Sequence, residues 1–205
     1  LLLVLQNLIQ NLESQIILLN LNIKKMKIFK YALLAIPFLY FSCSDDDDTP
    51  APINEEEVIT TMTVTLTDAM SNVVTMQTQD LDGDGPNEPV VSGGTLSAGT
   101  TYTGSIVWLN EMEDPAEDIT LEIVQEQDEH QVFFSAMDLA VDFAYVDFDS
   151  NGFPVGTQFT LTTTNAGTGT VTITLIHEPM KPNDGTVDTA GGSIDIQTSF
   201  PVTVE

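Results

Sequence analysis

The sequence predicts a mainly β protein: a single antiparallel β-sandwich or barrel of about eight strands, with one short helix near residues 115–129. Three observations predict this fold. Apolar and polar residues alternate with a period of two through most of residues 58–205, as in half-buried strands. The polar positions of these stretches are rich in threonine, a β-branched residue that favours strands. No stretch has the strand–helix–strand pattern of a parallel sheet, and one domain of about 150 residues buries an adequate core.

Eight stretches are predicted as strands. The alternation is clear in 61–67, 139–145, 159–162, 170–175 and 194–204, and weaker in 73–79, 101–109 and 131–135. Tyr102, Ile106 and Trp108 share one face of their strand, so we expect core positions rather than an exposed platform for stacking sugars. Pro201 lies within the last strand and predicts a sheet edge or a bulge, because proline lacks the N–H of a sheet ladder.

One helix is predicted between the strands. Asp114 is the expected N-cap, with Pro115 at the first helical position and Glu117 at the third. Ile119 and Ile123 follow four residues apart, on one helical face. A strand over 119–125 is the alternative, because Ile119, Leu121 and Ile123 also alternate.

The charge is strongly acidic and unevenly distributed. The chain has 31 Asp and Glu against five Lys and no Arg, for a formal net charge of −26. Four of the lysines lie between residues 24 and 30, and Lys181 is the only Lys or Arg after them. Nucleic-acid binding is excluded, because it needs cations against phosphate. A nucleotide enzyme with a cationic phosphate clamp is disfavoured for the same reason.

The N-terminal part has the form of an export signal. Residues 26–42 join a short basic segment to about a dozen apolar residues, which fits a signal peptide and is short for a membrane span. Residues 1–25 begin with Leu and consist almost wholly of Leu, Ile, Asn and Gln. We interpret them as a translated upstream extension with Met26 as the start; an amphipathic helix is the alternative.

Cys43 is the only cysteine and follows Ser42 at the end of the apolar stretch. This arrangement resembles a bacterial lipoprotein signal, which implies a lipid on Cys43 and membrane attachment through it. Tyr40 and Phe41 are bulkier than the usual pattern, as in the loose signals of Bacteroidota lipoproteins. Residues 43–57 form an acidic tether that is expected to be disordered. Within it, Ser44, Asp45, Asp46, Asp47 and Asp48 resemble the acidic signal that sends such lipoproteins to the cell surface.

The rest of the chain also resembles a family. The residues that carry the resemblance are 80–87 (DLDGDGPN), 109–120 (LNEMEDPAEDIT), 128–131 (DEHQ), 177–185 (HEPMKPNDG) and 200–204 (FPVTV). They are similar to a family of small flavobacterial lipoproteins commonly labelled "type 1 periplasmic binding fold superfamily protein", with no established activity. That label implies two α/β lobes in a much longer chain, whereas the strand pattern of residues 58–205 predicts a β-domain.

Two segments share the spacing of half a calcium loop, D-x-D-x-[D/N]-G. The candidate ligands are Asp80, Asp82 and Asp84 in the first, and Asp147, Asp149 and Asn151 in the second. Position 12 of each loop, where an EF-hand has glutamate, is Val91 or Gln158, and no helices flank the loops. Calcium is therefore the candidate ion of a non-EF site. The alternative is that both segments are hairpin turns.

Other candidate sites are weaker. His130 and His177 are the only histidines, 47 residues apart, and the acids beside them suggest a transition-metal site; structural histidines are the favoured alternative. Thr189 stands in a three-residue Asp-Thr-Ala pattern for O-glycosylation in Bacteroidota. Neither a G-x-S-x-G motif nor any other nucleophile arrangement stands out.

These observations predict a lipid-anchored, non-enzymatic β-domain of the outer membrane that faces the cell surface and binds a glycan or an envelope protein. It requires no cofactor and binds neither nucleic acid nor nucleotide. The alternative is a calcium-dependent binding module for glycans, and an envelope hydrolase is the third hypothesis.

Overall fold

The computed structural model describes residues 57–83 and 85–205, which form a mainly β domain of two sheets. The sheets do not close into a barrel, so the predicted β-sandwich is confirmed. The predicted extension (1–25), the signal peptide (26–42), Cys43 and the acidic residues 44–48 lie outside the described residues, as does Asp84.

The described residues contain eleven strands and two helices. In chain order they are β1 (Thr61–Asp68), β2 (Val73–Gln79), β3 (Val90–Ser92), β4 (Gly94–Leu96), β5 (Thr101–Asn110), β6 (Glu117–Asp118), α1 (Ile119–Gln125), β7 (His130–Met137), β8 (Val141–Tyr145), β9 (Gln158–Thr163), β10 (Gly167–His177), α2 (Val187–Ala190) and β11 (Ser193–Val204). Every strand predicted from alternation is present. The short β3, β4 and β6 were not predicted, since they are too brief to show a period.

The first sheet has the order β3-β2-β1-β5-β9-β8, with β6 paired to β5. The second has the order β4-β11-β10-β7. All pairings of the described strands are antiparallel except β4 with β11, which is parallel. The prediction of a wholly antiparallel sandwich was therefore wrong for that pair.

The chain crosses from the first sheet to the second at Gly93, between β3 and β4. A Cβ atom at Gly93 would lie 1.7 Å from the carbonyl oxygen of Pro201, so only glycine fits. Pro201 lies in β11, between β4 and β10, but at Pro201 itself β11 is paired only on the β10 side, so the expected edge position is confirmed locally. The pairing with β4 begins at Val202, so the missing N–H of Pro201 removes no bond from that ladder. The register irregularity falls elsewhere, opposite Leu175 and Ile176.

The core lies between the two sheets. Trp108 and Tyr102 are almost fully buried there, at 0% and 2% exposure, which confirms the predicted core face of β5. They pack with the inward side chains of both sheets, including Met62, Val64, Leu66, Phe159, Leu161, Val171, Ile173, Leu175 and Phe200. This face-to-face burial of alternating residues is the main stabilising contribution expected of a sandwich.

The predicted helix is present but begins later than expected. The N-cap of α1 is Asp118, whose carboxylate accepts a hydrogen bond from the Thr120 N–H at 3.1 Å. Asp114 does not cap it, because Glu117 and Asp118 first pair with the end of β5 as β6. Ile119 and Ile123 are buried while Leu121 is 61% exposed, so the alternative of a strand over 119–125 was wrong.

The long connections of the sandwich gather at one end. We call this the loop end: it carries connections 80–89, 111–116, 126–129, 146–157 and 178–192. The register places them together, since Thr61 pairs with both Gln79 and Leu109, and His177 pairs with His130. The opposite end has only the short connections 69–72, 97–100, 138–140 and 164–166. Within the described ranges, no helix is long and apolar enough to span a membrane.

Candidate functional site

Two buried histidines face each other at the loop end. His130 begins β7 and His177 ends β10, and the antiparallel register makes them direct partners. Their rings stack with centroids 4.7 Å apart and planes 11° from parallel. His130 is fully buried and His177 is 6% exposed. The fold thus brings together the two histidines that the sequence separates by 47 residues.

A glutamate lies against both rings. Glu57 Oε1 is 2.6 Å from His130 Nε2, and Glu57 Oε2 is 3.9 Å from His177 Nδ1. The Glu57 side chain is only 4% exposed. Its Oε2 atom and His177 Nδ1 are both buried without a hydrogen-bond partner. We call Glu57, His130 and His177 the histidine cluster.

The charges in this cluster stabilise one another. Burial alone would lower the pKa of His130, but the hydrogen bond and negative charge of Glu57 outweigh it, and the pKa lies above the usual histidine value. Asp195 adds to this effect through its charge. Burial would raise the pKa of Glu57, but the hydrogen bond with His130 and the charges of both histidines hold the pKa below its usual value. The cluster therefore favours a negative carboxylate with positive charge beside it.

Lys181 links three connections of the loop end, 126–129, 146–157 and 178–192, through hydrogen bonds. Its Nζ donates to the carbonyl oxygens of Gln127 at 2.8 Å and His130 at 2.7 Å, and to Asp149 Oδ2 at 3.0 Å. The side chains of Lys181 and Asp149 are 6% and 0% exposed. Lys181, which stands out in the sequence as the only Lys or Arg after residue 30, is thus a buried structural residue.

The carboxylates of the second predicted calcium loop are engaged by protein donors. Asp147 accepts hydrogen bonds from the backbone N–H groups of Gly156 and Thr157, at 2.8 and 2.9 Å. Asp149 accepts from the backbone N–H groups of Asn151 and Phe153, at 2.9 and 2.8 Å, in addition to Lys181. Burial would raise the pKa of Asp149, but these donors hold it below the usual value. The contacts favour the interpretation of this loop as a turn held by its own residues.

The first predicted calcium loop is more open. Asp80 and Asp82 lie beside a shallow cleft of about 260 Å³, which Asn87 and Glu88 also line. Asp82 Oδ2 accepts a hydrogen bond from Asn87 Nδ2 at 2.5 Å. Asp84, the third predicted ligand, lies outside the described residues. The structure thus joins two of the three predicted ligands at one exposed cleft.

Thr189, the predicted O-glycosylation site, is exposed on α2, and its hydroxyl donates to Asp184 Oδ1.

A second shallow groove, of about 310 Å³, follows the outer face of α1 and is lined mainly by acids, among them Glu117, Asp118, Glu122 and Glu126. Burial and the neighbouring carboxylates raise the pKa of Glu122.

Comparison of the chain with protein-family models, curated proteins and solved structures gives no match. Function is therefore inferred from the geometry of the loop end and from the sequence.

The sequence suggested the residues of the histidine cluster only in part. It gave His130 and His177 as candidates, with Asp128, Glu129 and Glu178 as neighbours, and it placed Glu57 on the tether. A signal for Glu57 was present, since it lies directly before residues 58–205, the stretch predicted as the β-domain. Its partners, however, depend on the pairing of β7 with β10, which alternation does not determine.

Proposed function

We propose that this protein is a lipid-anchored, non-enzymatic module of the cell envelope that is displayed at the cell surface and binds its partner through the loop end. The observation that carries the binding role is the convergence of five connections on one end of the sandwich. Loops held on a rigid β scaffold are a common way for proteins to present recognition residues. The anchor is supported by the signal-like residues 26–42, by Cys43 and by the resemblance to small flavobacterial lipoproteins.

The chemistry of the loop end suits a partner whose surface combines apolar groups with positive charges. Four of its connections expose large apolar side chains: Leu81, Met112, Phe148 and Met180 are 51–63% exposed, and Val146 is 50% exposed. Acidic residues surround them in the same connections. Exposed apolar groups within a polar rim are typical of protein interaction sites. An envelope protein fits this surface, and so does a glycan that stacks on Phe148.

Photo-cross-linking in living cells tests the binding role directly. A photoreactive amino acid replaces Leu81 or Phe148 at the loop end, or Met70 at the opposite end as the matched control. Met70 is 81% exposed, so all three positions accept the bulky group. We expect cross-linked adducts from Leu81 and Phe148 and none from Met70. Adducts from all three positions alike, or from Met70 alone, would contradict a binding role for the loop end.

Surface display is tested by protease treatment of intact cells. We expect the wild-type protein to be digested from outside. A variant with Asp45–Asp48 replaced by asparagine keeps Cys43 but loses the acidic run; it should stay protected until the outer membrane is opened. Protection of the wild-type protein in intact cells would refute surface display and leave a periplasmic orientation.

A calcium-dependent binding module is the second candidate, and the cleft beside Asp80, Asp82 and Glu88 favours it. Carboxylate oxygens that converge on an open cleft suit a hard cation. With a Kd near 10⁻⁴ M, typical of extracellular modules, 1 mM Ca²⁺ stabilises the fold by about 1.4 kcal/mol. Asp80→Asn should abolish the rise in melting temperature. An unchanged melting temperature of the wild-type protein, with Ca²⁺ or with EDTA, excludes this candidate.

A further inference from the structure

We propose that the histidine cluster is a binding site for a divalent transition metal of the zinc class, with Glu57, His130 and His177 as ligands and one coordination position open. This inference goes beyond the proposed binding module. It stands on the geometry of the three side chains and does not depend on the lipid anchor.

The hydrogen bonds of His130 leave one nitrogen for a metal. Its Nδ1 lies 3.2 Å from the carbonyl oxygen of Glu126. A carbonyl only accepts hydrogen bonds, so Nδ1 carries the proton. The lone pair of a neutral His130 is then on Nε2, the atom that faces Glu57. Metal-bound histidines are commonly held in this way, with the second nitrogen donating to a backbone carbonyl.

His177 is arranged in the same sense. Its Nε2 lies 3.8 Å from Glu129 Oε2, so an outer carboxylate faces one nitrogen. Its Nδ1 lies on the inner side, 3.9 Å from Glu57 Oε2. These two inner atoms are buried and without a hydrogen-bond partner. Buried unpartnered polar atoms are costly unless something satisfies them, and a metal between them would satisfy both.

The distances are close to those that one ion requires. The three ligand atoms lie within 4.8 Å of one another. Bonds of about 2.0–2.1 Å in a tetrahedral site place ligand atoms about 3.3 Å apart. Glu57 Oε1 and His130 Nε2, now 2.6 Å apart, are closer than two ligand atoms of one ion and must separate slightly. Glu57 Oε2 and His177 Nδ1, now 3.9 Å apart, must come slightly closer. The rings are parallel, so His177, the less buried of the two, turns toward the ion. The metal replaces the proton that Glu57 and His130 share.

The ligand types determine the class of ion. Two imidazoles and a carboxylate suit Zn²⁺, Co²⁺, Ni²⁺ or Cu²⁺, whereas Ca²⁺ prefers oxygen ligands alone. Three protein ligands leave the fourth position of a tetrahedral ion to water. Glu129 is adjacent and 58% exposed, so solvent lies next to His177 on that side. Glu129, His177 and Glu178 form a second group of side chains that are close enough to hold a metal, and His177 belongs to both groups.

The position of the site gives the ion a structural effect. Glu57 lies just before β1, whereas His130 and His177 belong to β7 and β10 of the other sheet. A metal at the cluster therefore ties the segment that enters the domain to the second sheet. Glu57 is the last residue of the acidic tether (43–57) predicted from the sequence.

Zinc binding by the full chain in detergent tests the proposal. The protein is stripped with EDTA, dialysed and loaded with Zn²⁺. Bound zinc is counted by mass spectrometry after gel filtration, and the Kd is measured by competition with a chromophoric chelator. Glu57→Gln keeps the size of the side chain, and His177→Phe keeps a flat ring against His130. The controls are Cys43→Ala, which removes the only cysteine, and Asp80→Asn in the exposed cleft.

We expect one zinc per chain in the wild-type protein and in both controls. In Glu57→Gln and His177→Phe the affinity should fall by more than the roughly 10–100-fold that follows loss of an outer-shell partner. Substitution with Co²⁺ should give the visible absorption of a tetrahedral nitrogen–oxygen site in the wild-type protein only. The proposal is overturned if the wild-type protein binds no zinc, if Glu57→Gln binds it equally well, or if Ca²⁺ competes with zinc at equal concentration.

Discussion

Replacing Lys181 with methionine should destabilise the domain strongly, although the substitution keeps most of the side-chain volume. The ammonium group makes three buried contacts, to Gln127 O, His130 O and Asp149 Oδ2. Asp149 would keep its two backbone donors but lose its only cationic partner among the described residues. The two carbonyl oxygens would each lose a donor.

The expected magnitude follows from these contacts. Breaking a buried ion pair by removing one partner costs about 3–5 kcal/mol, and domains are stable by only about 5–15 kcal/mol in total. For a domain of about 150 residues, this loss lowers the melting temperature by roughly 6–20 °C. Asp149→Asn in the same chain should recover part of it, because no buried charge is then left unpaired.

Unfolding in urea, followed by tryptophan fluorescence, measures this free energy. Trp108 is the only tryptophan and is fully buried in the core, so it reports global unfolding. Met180→Ala is the matched control. Met180 is next to Lys181 in the chain and its side chain is 63% exposed, so its truncation should change stability by less than about 0.5 kcal/mol. A loss below about 1 kcal/mol for Lys181→Met would refute the structural role of the lysine.

Two further predictions concern single carboxylates. The pKa of Asp149 is lower in the folded than in the unfolded chain, so its stabilising contribution is present above about pH 4 and is lost as the pH falls through the folded value. Asp149→Asn should therefore lower the melting temperature at pH 7 and flatten the decline of the melting temperature in acid. Parallel curves of melting temperature against pH for the wild-type protein and Asp149→Asn would contradict this. Asp118→Ala should cost about 1 kcal/mol through loss of the N-cap of α1. Asp114→Ala should cost less than about 0.5 kcal/mol, and equal losses in urea unfolding would show that the cap is assigned to the wrong residue.

The alternation of residues was sufficient to predict the eight longer strands and the core face of β5, because the two-residue period directly reports burial on one side of a sheet. It also distinguished Trp108 as a core residue from an exposed stacking platform. The start of α1 was missed since Asp114 and Asp118 are equivalent as caps in sequence. Pairing of Asp118 with Leu109 across β5 and β6 decides between them.

The histidine cluster required information that no local pattern contains. Its three residues lie before β1, at the start of β7 and at the end of β10, and only the packing of two sheets brings these points together. The role of Lys181 was hidden for the same reason. Its rarity in an acidic chain marks it as unusual, but its partners come from connections 126–129 and 146–157, far away in sequence.

The lipid anchor at Cys43 is the central claim about how this protein works, because it determines where the loop end meets a partner. Metabolic labelling with radioactive palmitate, followed by immunoprecipitation from cells that express the wild-type protein or Cys43→Ala, tests it most directly. We predict label in the wild-type band and none in Cys43→Ala, whose signal peptide should also remain uncleaved. Equal labelling of both proteins, or no label in either, would contradict a lipid anchor at this cysteine.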